Sequence, residues 1–396
     1  MRPYDLAIIG GGAGGITAAI SAKRAGRTCV LLEKTARLGR KILASGNGRC
    51  NLLNEDLDES FYNPASRPLV KSIFAKFNKS DIIAFFRSVG VYIEKDETGR
   101  YFPATNQAAT VLKALEIELH RIDVPVELNF EAETIQSSGT GFTVAARSGK
   151  KVSCGSVILT GGGKSYPALG SDGSAYKLAR HFGHNIIEPV PVCVSIVVKD
   201  PILHALQGQK IAVRAKAIID NKEAGRSAGD LLFTKYGLSG TAILDISEGI
   251  SLALNRERKK DVYISIDMVP FLEKKELEES INDRLRKNHA PENLLVGILP
   301  NKFGPAMRSL LNTKDAASIA GRLKDWRFKA AQTRGWNEAE FTAGGVDTSQ
   351  ISLGTLESKL KKGLYFAGEV LDVNGRRGGY NLAWAWASGF VSGKYE

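Results

Sequence analysis

Three glycines near the start of the chain, Gly10, Gly12 and Gly15 in the run GGGAGG, stand at the spacing G-x-G-x-x-G. That spacing suits the chemistry of a pyrophosphate. The first glycine permits a tight turn out of a strand. The second lets backbone approach phosphate with no Cβ in the way, and the third lets a helix pack closely on a sheet. The helix N-terminus then offers N–H groups and a partial positive charge to the anion. Glu33 follows about 20 residues on, where a carboxylate can accept hydrogen bonds from a ribose diol. The pattern predicts a dinucleotide site, for FAD or for NAD.

The elements that must position these residues are legible around them. Asp5–Ile9 (DLAII) is a short apolar run suited to a buried parallel strand. ITAAISAKRAG reads as an Ala-rich helix ending at Gly26, and TCVLLEK as a second strand finishing on Glu33. After it comes ARLGRKILASGNGRCNLLN, residues 36–54, a basic loop with no hydrophobic alternation. At the other end of the chain stands GLYFAGEVLDVNGRRGGYNLAWAWASG, residues 363–389: a buried strand, a polar loop, then a helix whose first N–H groups, at Gly379, Tyr380 and Asn381, can face an anionic or carbonyl group. The fingerprint lies at the extreme N-terminus and a second Gly-rich element lies near the C-terminus. A long cofactor drawing on both chain ends favours FAD over NAD. Strands near residues 131–135 and 156–160 supply the intervening layers.

These residues also carry a resemblance. GRKILASGNGRCN, GGGKSYPALGSDG, LLFTKYGLSG, TAGGV and the long C-terminal motif run in the order found in the bacterial three-domain FAD flavoproteins that include aminoacetone oxidase and the bile-acid reductase BaiN, and the chain resembles that family over nearly its whole length. The resemblance implies a two-dinucleotide-binding-type flavoprotein fold with bound FAD. It fixes the cofactor better than the reaction, because the family's activities differ in direction and substrate. This chain departs from the family with Lys235 where His is common and Thr241 where Pro is common, both in the expected substrate region.

The candidate cofactor-binding set is therefore Gly10, Gly12, Ala13, Gly14, Gly15, Glu33 and Lys34 in the first motif; Arg40, Lys41, Ser45, Gly46, Asn47 and Gly48 in the basic loop; Ala132, Thr160, Gly161 and Gly162 between; and Gly368, Glu369, Asp372, Gly379, Tyr380, Asn381 and Leu382 at the end. In the loop, Gly46 and Gly48 let N–H groups approach a flat ring, Asn47 and Asn51 can hydrogen-bond its polar edge, and Arg40, Lys41 and Arg49 favour pyrophosphate or an anionic reduced flavin. The flavin carries the redox chemistry and the protein orients and tunes it. Catalytic side chains are not legible; Lys235, Tyr166 and Cys50 are weak candidates, each set against an ordinary reading as surface charge, loop anchor or buried thiol. No His lies in the motifs. No metal site is expected, since the four cysteines are far apart. No His or Cys stands in an attachment motif, so FAD is expected to be non-covalent. No second fingerprint with its helix and acid follows an internal strand, so NAD(P)H is expected only as a transient electron donor.

On the scale of the whole chain, 396 residues allow two or three domains, and 43% hydrophobic with 24% charged residues is ordinary for a soluble protein. The expected fold class is α/β, an FAD-binding Rossmann-like domain with an inserted β-rich domain and a small helical domain. The FAD domain takes residues 1–189 and 345–396. The barrel-like substrate domain takes 190–270 and 326–344, where PVPVCVSIVVKD, QKIAVRAKAIID and DVYISIDMV read as antiparallel strands. A helical cap takes 271–325, from the amphipathic LEKKELEESINDRLRKN through PENLLVGIL, FGPAMRSLL and KDAASIAGRLKDW. No segment reads as a membrane span or a signal peptide, and unpaired cysteines suit a reducing cytoplasm. The net charge of +12 is spread without a long basic run, so a nucleic-acid partner is not expected. The leading reading is an FAD-dependent oxidoreductase acting on a small organic substrate. The alternatives are a flavoprotein that acts on or binds RNA, which would use the positive charge, and a non-enzymatic flavin-binding redox sensor. The oligomeric state is left open.

Overall fold

The computed structural model describes residues 3–139 and 141–394. The chain folds as two compact units, Met1–Pro189 with Phe341–Glu396, and Val190–Glu340. No helix among the described residues is long and apolar enough to cross a membrane.

The first unit grows from the strand Tyr4–Ile9. It pairs in parallel with Cys29–Leu32 on one side and with Lys151–Leu159 on the other. Val126–Glu127 extends the sheet beyond Cys29–Leu32. A parallel strand buried on both faces needs a continuous apolar run, which LAII and CVLL supply. On its other edge Lys151–Leu159 serves two further partners. Its first half pairs antiparallel with Gly141–Ala146, which pairs in turn with Ala132–Ser138. Its second half pairs in parallel with Leu364–Phe366, so the last strand of the chain returns to the centre of the first sheet.

Two helices bind the chain ends together. Ala13–Arg24 and Tyr380–Lys394 approach so closely that a Cβ on Gly389 would lie 2.3 Å from the Gly14 carbonyl oxygen, and one on Gly393 2.3 Å from that of Ala18. Ser21 Oγ donates to the Phe390 carbonyl at 2.7 Å. Glycine and alanine on both facing surfaces make this contact possible. The C-terminal helix also carries two buried tryptophans. Trp384 Nε1 donates to the Gly368 carbonyl at 3.1 Å, and Trp386 Nε1 to the Leu52 carbonyl at 3.2 Å. One helix thus ties down both the polar loop before it and the end of the basic loop.

The second unit contains a closed antiparallel barrel in the order Ile196–Val198, Gly237–Ser239, Lys222–Thr234, Lys210–Ile219, Val262–Asp267, Trp326–Thr333. Alternation along Lys210–Ile219 sends Ile211, Val213, Ala215 and Ala217 inward and leaves Lys210, Arg214 and Lys216 exposed. Helices Lys274–Arg286 and Ala316–Lys324 bury Leu277, Ile281, Ile319 and Leu323 in the same hydrophobic cluster as Ile264 and Phe328 of the barrel. Two local expectations are corrected here. PENLLVGIL forms only the short turn Pro291–Asn293, and Gly297 at φ +80° takes the chain out of helical geometry. FGPAMRSLL forms two short helices, Phe303–Ala306 and Arg308–Leu311, on either side of Met307.

Candidate functional site

The three fingerprint glycines play two different parts. Gly10 lies at φ +115°, and a Cβ there would sit 2.6 Å from the Thr160 carbonyl oxygen. A Cβ on Gly15 would lie 1.8 Å from the Gly10 carbonyl oxygen. Both are demanded by backbone packing. A Cβ on Gly12 would meet no atom within 4 Å, because this residue faces open space at the start of helix Ala13–Arg24. The N-cap has no side-chain hydrogen bond, which leaves first-turn N–H groups at Ala13, Gly14 and Gly15 for a ligand.

That space is a groove. Gly10, Gly12, Glu33, Lys34, Arg40, Lys41, Ala132, Thr160, Gly161 and Gly162 line it, together with Thr35, Arg37, Phe130, Ser171 and Ser174. Ten sequence candidates therefore converge from five separated segments. The second group was missed by the sequence reading. Ser171 offered a faint signal, lying within the quoted motif GGGKSYPALGSDG, as did Ser174 just after it, while Phe130 offered none.

The polar contacts show how the groove is held. Glu33 is buried, and its two carboxylate oxygens accept from Gly11 N and Thr35 N, each at 2.7 Å. Each oxygen keeps a lone pair for a further donor. Thr160 Oγ1 donates to the Gly10 carbonyl at 2.7 Å and so locks the turn. Lys34 Nζ is pinned to Asp172 Oδ1 at 2.7 Å. Ala132 pairs with Ala146 and Thr134 with Ala145, so Glu133 is the extra residue of a bulge. A bulge re-aims the neighbouring backbone, here at the groove wall.

The basic loop begins as helix Arg40–Ala44 and then turns the wrong way. Gly46 (φ 57°, ψ 33°) and Asn47 (φ 55°, ψ 43°) are left-handed, followed by Gly48 at φ 82° and Cys50 at φ 62°. Glycine takes such angles freely, whereas Asn and Cys do so at a cost. Cys50 N donates to the Ser45 carbonyl at 3.0 Å and closes the turn. Arg49 stacks over Phe102 at 4.2 Å. Gly46, Asn47 and Gly48 stay exposed.

At the C-terminal motif, several candidates are engaged with protein. Glu369 accepts from Lys41 Nζ at 2.6 Å, from Thr342 N at 2.8 Å and from Ser165 Oγ at 3.1 Å, behind the groove wall. Asp372 accepts from Gly344 N at 2.9 Å. Gly368 N donates to Ser388 Oγ at 2.9 Å. Asn381 grips Gly375 through both its N–H and its carbonyl, each at 2.9 Å. Tyr380 stacks on Phe61 at 4.8 Å, and Leu382 is half-buried beside it. Gly379, at φ +103°, presses on the other motif: a Cβ there would lie 2.7 Å from the Leu53 carbonyl carbon and 2.8 Å from Asn51 Oδ1.

The weak catalytic candidates fare unequally. Cys50 is fully buried, and burial pushes its thiol up to about 12, so it stays protonated at neutral pH and is no nucleophile. Tyr166 is half-buried at φ +54° ahead of Pro167, a loop corner. Lys235 lies exposed in the turn between Lys222–Thr234 and Gly237–Ser239.

The residues present fit a dinucleotide. Gly12 leaves an open cradle at a helix start, and Ser171 Oγ, in the groove, is buried without a hydrogen-bond partner.

Comparison with known proteins extends this reading. Residues 4–395 match the HI0933-like protein Rossmann domain. The chain is 35% identical over 404 residues to the 3-dehydro-bile acid delta(4,6)-reductase of Clostridium scindens, covering 98% of each. It is 32% identical to the ribosomal RNA dihydrouridine synthase of Escherichia coli, covering 99% of this chain and 97% of that one. Among solved structures, 3-ketosteroid delta1-dehydrogenase from Sterolibacterium denitrificans is similar with a TM-score of 0.53 at 13% identity, over 99% of each chain. A flavocytochrome c3 fumarate reductase is similar with a TM-score of 0.51 at 14% identity, over 99% of this chain and 78% of that one. At such identities these two likenesses show the fold alone.

Proposed function

The chain belongs to the HI0933-like Rossmann family and is an FAD-dependent oxidoreductase, and from that premise we propose that it reduces a carbon–carbon double bond conjugated to a carbonyl. What carries the proposal is the chemistry shared by relatives with different names. A delta(4,6)-reductase of a 3-dehydro-bile acid and a dihydrouridine synthase both saturate a C=C bond in conjugation with a C=O group. Hydride addition to the far carbon of such a bond places negative charge on the carbonyl oxygen, and a proton then completes the saturation.

Bound FAD supplies the hydride in this chemistry. The chain's own residues bind and orient. Gly12 would admit the pyrophosphate, the start of helix Ala13–Arg24 would offer it N–H groups, and Arg40 would add positive charge on the groove wall, beside Lys41 in its ion pair with Glu369. Glu33, fixed by Gly11 N and Thr35 N, would accept from the ribose diol, and the bulged backbone at Ala132 would border the cofactor on the groove wall. The cofactor is held without a covalent bond, and NADH or NADPH visits only to deliver electrons. All four cysteines are buried and so poorly placed as tethers. The first reading of the substrate is a free small molecule. A second reading, uridine within RNA, draws support from two relatives so named and from the net charge of +12.

The test is anaerobic. Purified protein is reduced with NADH or NADPH and mixed with an α,β-unsaturated 3-keto steroid acid, a simple cyclic enone, or unmodified ribosomal RNA. Reoxidation of the flavin together with loss of the double bond supports the class, and the acceptor that works decides the substrate. If no conjugated carbonyl compound reoxidises the reduced flavin, the proposed reaction is wrong.

A further inference from the structure

The barrel of the second unit turns a broad four-stranded face outward. Along Lys210–Ile219 the inward residues are apolar, and Arg214 and Lys216 point out, followed by half-buried Ile218. Arg226 of Lys222–Thr234 stands opposite Lys216 on one side. On the other side Ser265 of Val262–Asp267 stands opposite Lys216, and Arg327 of Trp326–Thr333 opposite Ser265. One cross-strand row therefore reads Arg226, Lys216, Ser265, Arg327. The next row carries Ile218, Tyr263 and Lys329, paired in the same way. Residues opposite one another on neighbouring strands share a face, so these cations form one field. Arg214, Lys216, Arg226, Arg327 and Lys329 are all exposed, and exposed Ala212, Ala224 and Ala228 leave the surface between them flat.

The carboxylates near this field do not cancel it. Glu223 is shared between Arg226 at 2.6 Å and Lys216 at 3.1 Å. Asp325 accepts from Arg327 at 2.9 Å and from Ser265 Oγ at 2.6 Å. Asp267 lies opposite Arg214 but is held by Lys324 at 2.8 Å, with both side chains mostly buried. Arg214 has no ion pair among the described residues, and Lys329 lies over the Tyr263 ring at 5.8 Å. At the edge Lys210 meets Asp230 at 2.8 Å. Exposed pairs of this kind are weak and leave their cations able to meet another anion. The large apolar side chains that the chain exposes, Phe271, Leu353 and Leu360 among them, lie on other segments. The face thus has no apolar group for a membrane to receive, and a second copy of the same face would set like charge against like.

We infer that the outer face of these four strands is a docking surface for single-stranded RNA, with Arg214, Lys216, Arg226, Arg327 and Lys329 on the phosphates and Tyr263 as a ring on which a base stacks. The inference rests on the second substrate reading, uridine within RNA. Charge complementarity carries it. A phosphate backbone is a row of repeated anions, and a flat field of arginine and lysine meets several of them at once. A base needs a planar partner among those charges, and Tyr263 supplies one between the two rows of cations. The net charge of +12 attracts a polyanion at long range, and this face gives that attraction a place to act. Every residue of the surface belongs to the second unit.

Full-length holoprotein is titrated into a fluorescein-labelled oligouridine, and anisotropy is read over a range of salt. Wild-type protein is expected to bind, with affinity falling as salt rises. A variant combining Arg214→Ala, Lys216→Ala and Arg327→Ala is expected to lose about 2 from the magnitude of the slope of log K against log salt, at about 0.7 for each single-strand phosphate contact, and to bind about tenfold or more weakly. Arg214→Ala alone should lose about 0.7 from the slope, which covers the case in which the combined variant folds poorly. Tyr263→Ala should weaken binding about tenfold with the slope unchanged, because stacking releases no counterions. A control variant replaces Lys275, Lys302 and Arg308, exposed cations elsewhere in the same unit, by alanine and should keep the wild-type slope. A wild-type circular dichroism spectrum marks each variant as folded. Wild-type binding by the folded face variants overturns the inference, as does an equal loss in the control. Release of the oligouridine by polyglutamate as readily as by unlabelled RNA assigns the face to an acidic protein and overturns RNA as its occupant. Failure of wild-type holoprotein to bind RNA at low salt refutes instead the RNA reading on which the inference rests.

Discussion

At the scale of single residues, the fingerprint separates into two positions demanded by backbone packing and one that faces open space. Gly12→Val should leave the apoprotein folded, because the space beside Gly12 is open, yet abolish FAD binding by filling that space. Gly15→Ala should do the reverse, destabilising the protein itself by about 1–3 kcal/mol or more, since its Cβ would overlap the Gly10 carbonyl oxygen. Thermal melts of the apoproteins beside flavin titrations check both, and equal melting temperatures for the two variants would contradict the distinction. Glu33→Ala should weaken FAD by about 1–3 kcal/mol, and part of the loss should appear in apoprotein stability, because Gly11 N and Thr35 N lose their acceptor. A different residue contributes to acid behaviour. His184 is buried, with Nε2 2.7 Å from Ser358 Oγ, and burial lowers its pKa below the ordinary value. The folded state therefore takes up a proton less readily than the unfolded chain. Its contribution is full above about pH 6.5, the unfolded value, and declines as pH falls below that. Urea denaturation at pH 7.5 and pH 5 should show a smaller acid loss in His184→Gln than in wild type, and an identical loss would remove His184 from the account.

At the scale of elements, the helix pair Ala13–Arg24 and Tyr380–Lys394 is the joint between the two chain ends. Gly389 and Gly393, four residues apart, let one backbone lie on the other. Gly393→Leu should force the helices apart, lower stability by about 1–3 kcal/mol or more, and weaken FAD, although residue 393 touches no candidate cofactor contact. A melting curve and a flavin titration on the same variant test this; unchanged affinity in a destabilised protein would show that the joint matters only for folding. The strands DLAII and TCVLLEK and both terminal helices were legible from apolar runs and glycine punctuation. The helix expected in PENLLVGIL was not formed, because apolar content in a short segment does not outweigh a glycine that turns left-handed at 297. The reversed turn at Gly46–Asn47 was equally hidden, since glycine and asparagine permit left-handed angles without requiring them.

At the scale of the molecule, Val190–Glu340 forms its own unit between two parts of the first. We propose that the first unit binds FAD and the second selects the substrate, because the groove-lining residues all belong to the first. Replacing 190–340 with a short Gly/Ser linker should then leave a protein that binds FAD but does not turn over. Loss of FAD binding by a folded deletion protein would refute this division. Lys235, exposed in a turn of the second unit, is the first substitution to try within it; Lys235→Met should keep wild-type FAD affinity, and any change should appear in substrate KM. If RNA is the substrate, its affinity should fall steeply as salt rises, as phosphate contacts require, whereas a neutral enone should show little salt dependence.

The sequence by itself determined the cofactor class and the architecture that binds it. Gly10, Gly12, Gly15 and Glu33 are close in sequence, and local spacing is enough to state what a turn, a helix start and a strand end will do. Tertiary structure decided which candidates face the groove. Lys41 and Glu369 both stood out as polar residues in long motifs, but only the fold brings them within 2.6 Å, where Lys41 lines the groove and Glu369 stands behind it. It likewise decided that Cys50 is buried and inert. These properties depend on atoms supplied by segments hundreds of residues apart, and a linear pattern carries no record of such neighbours.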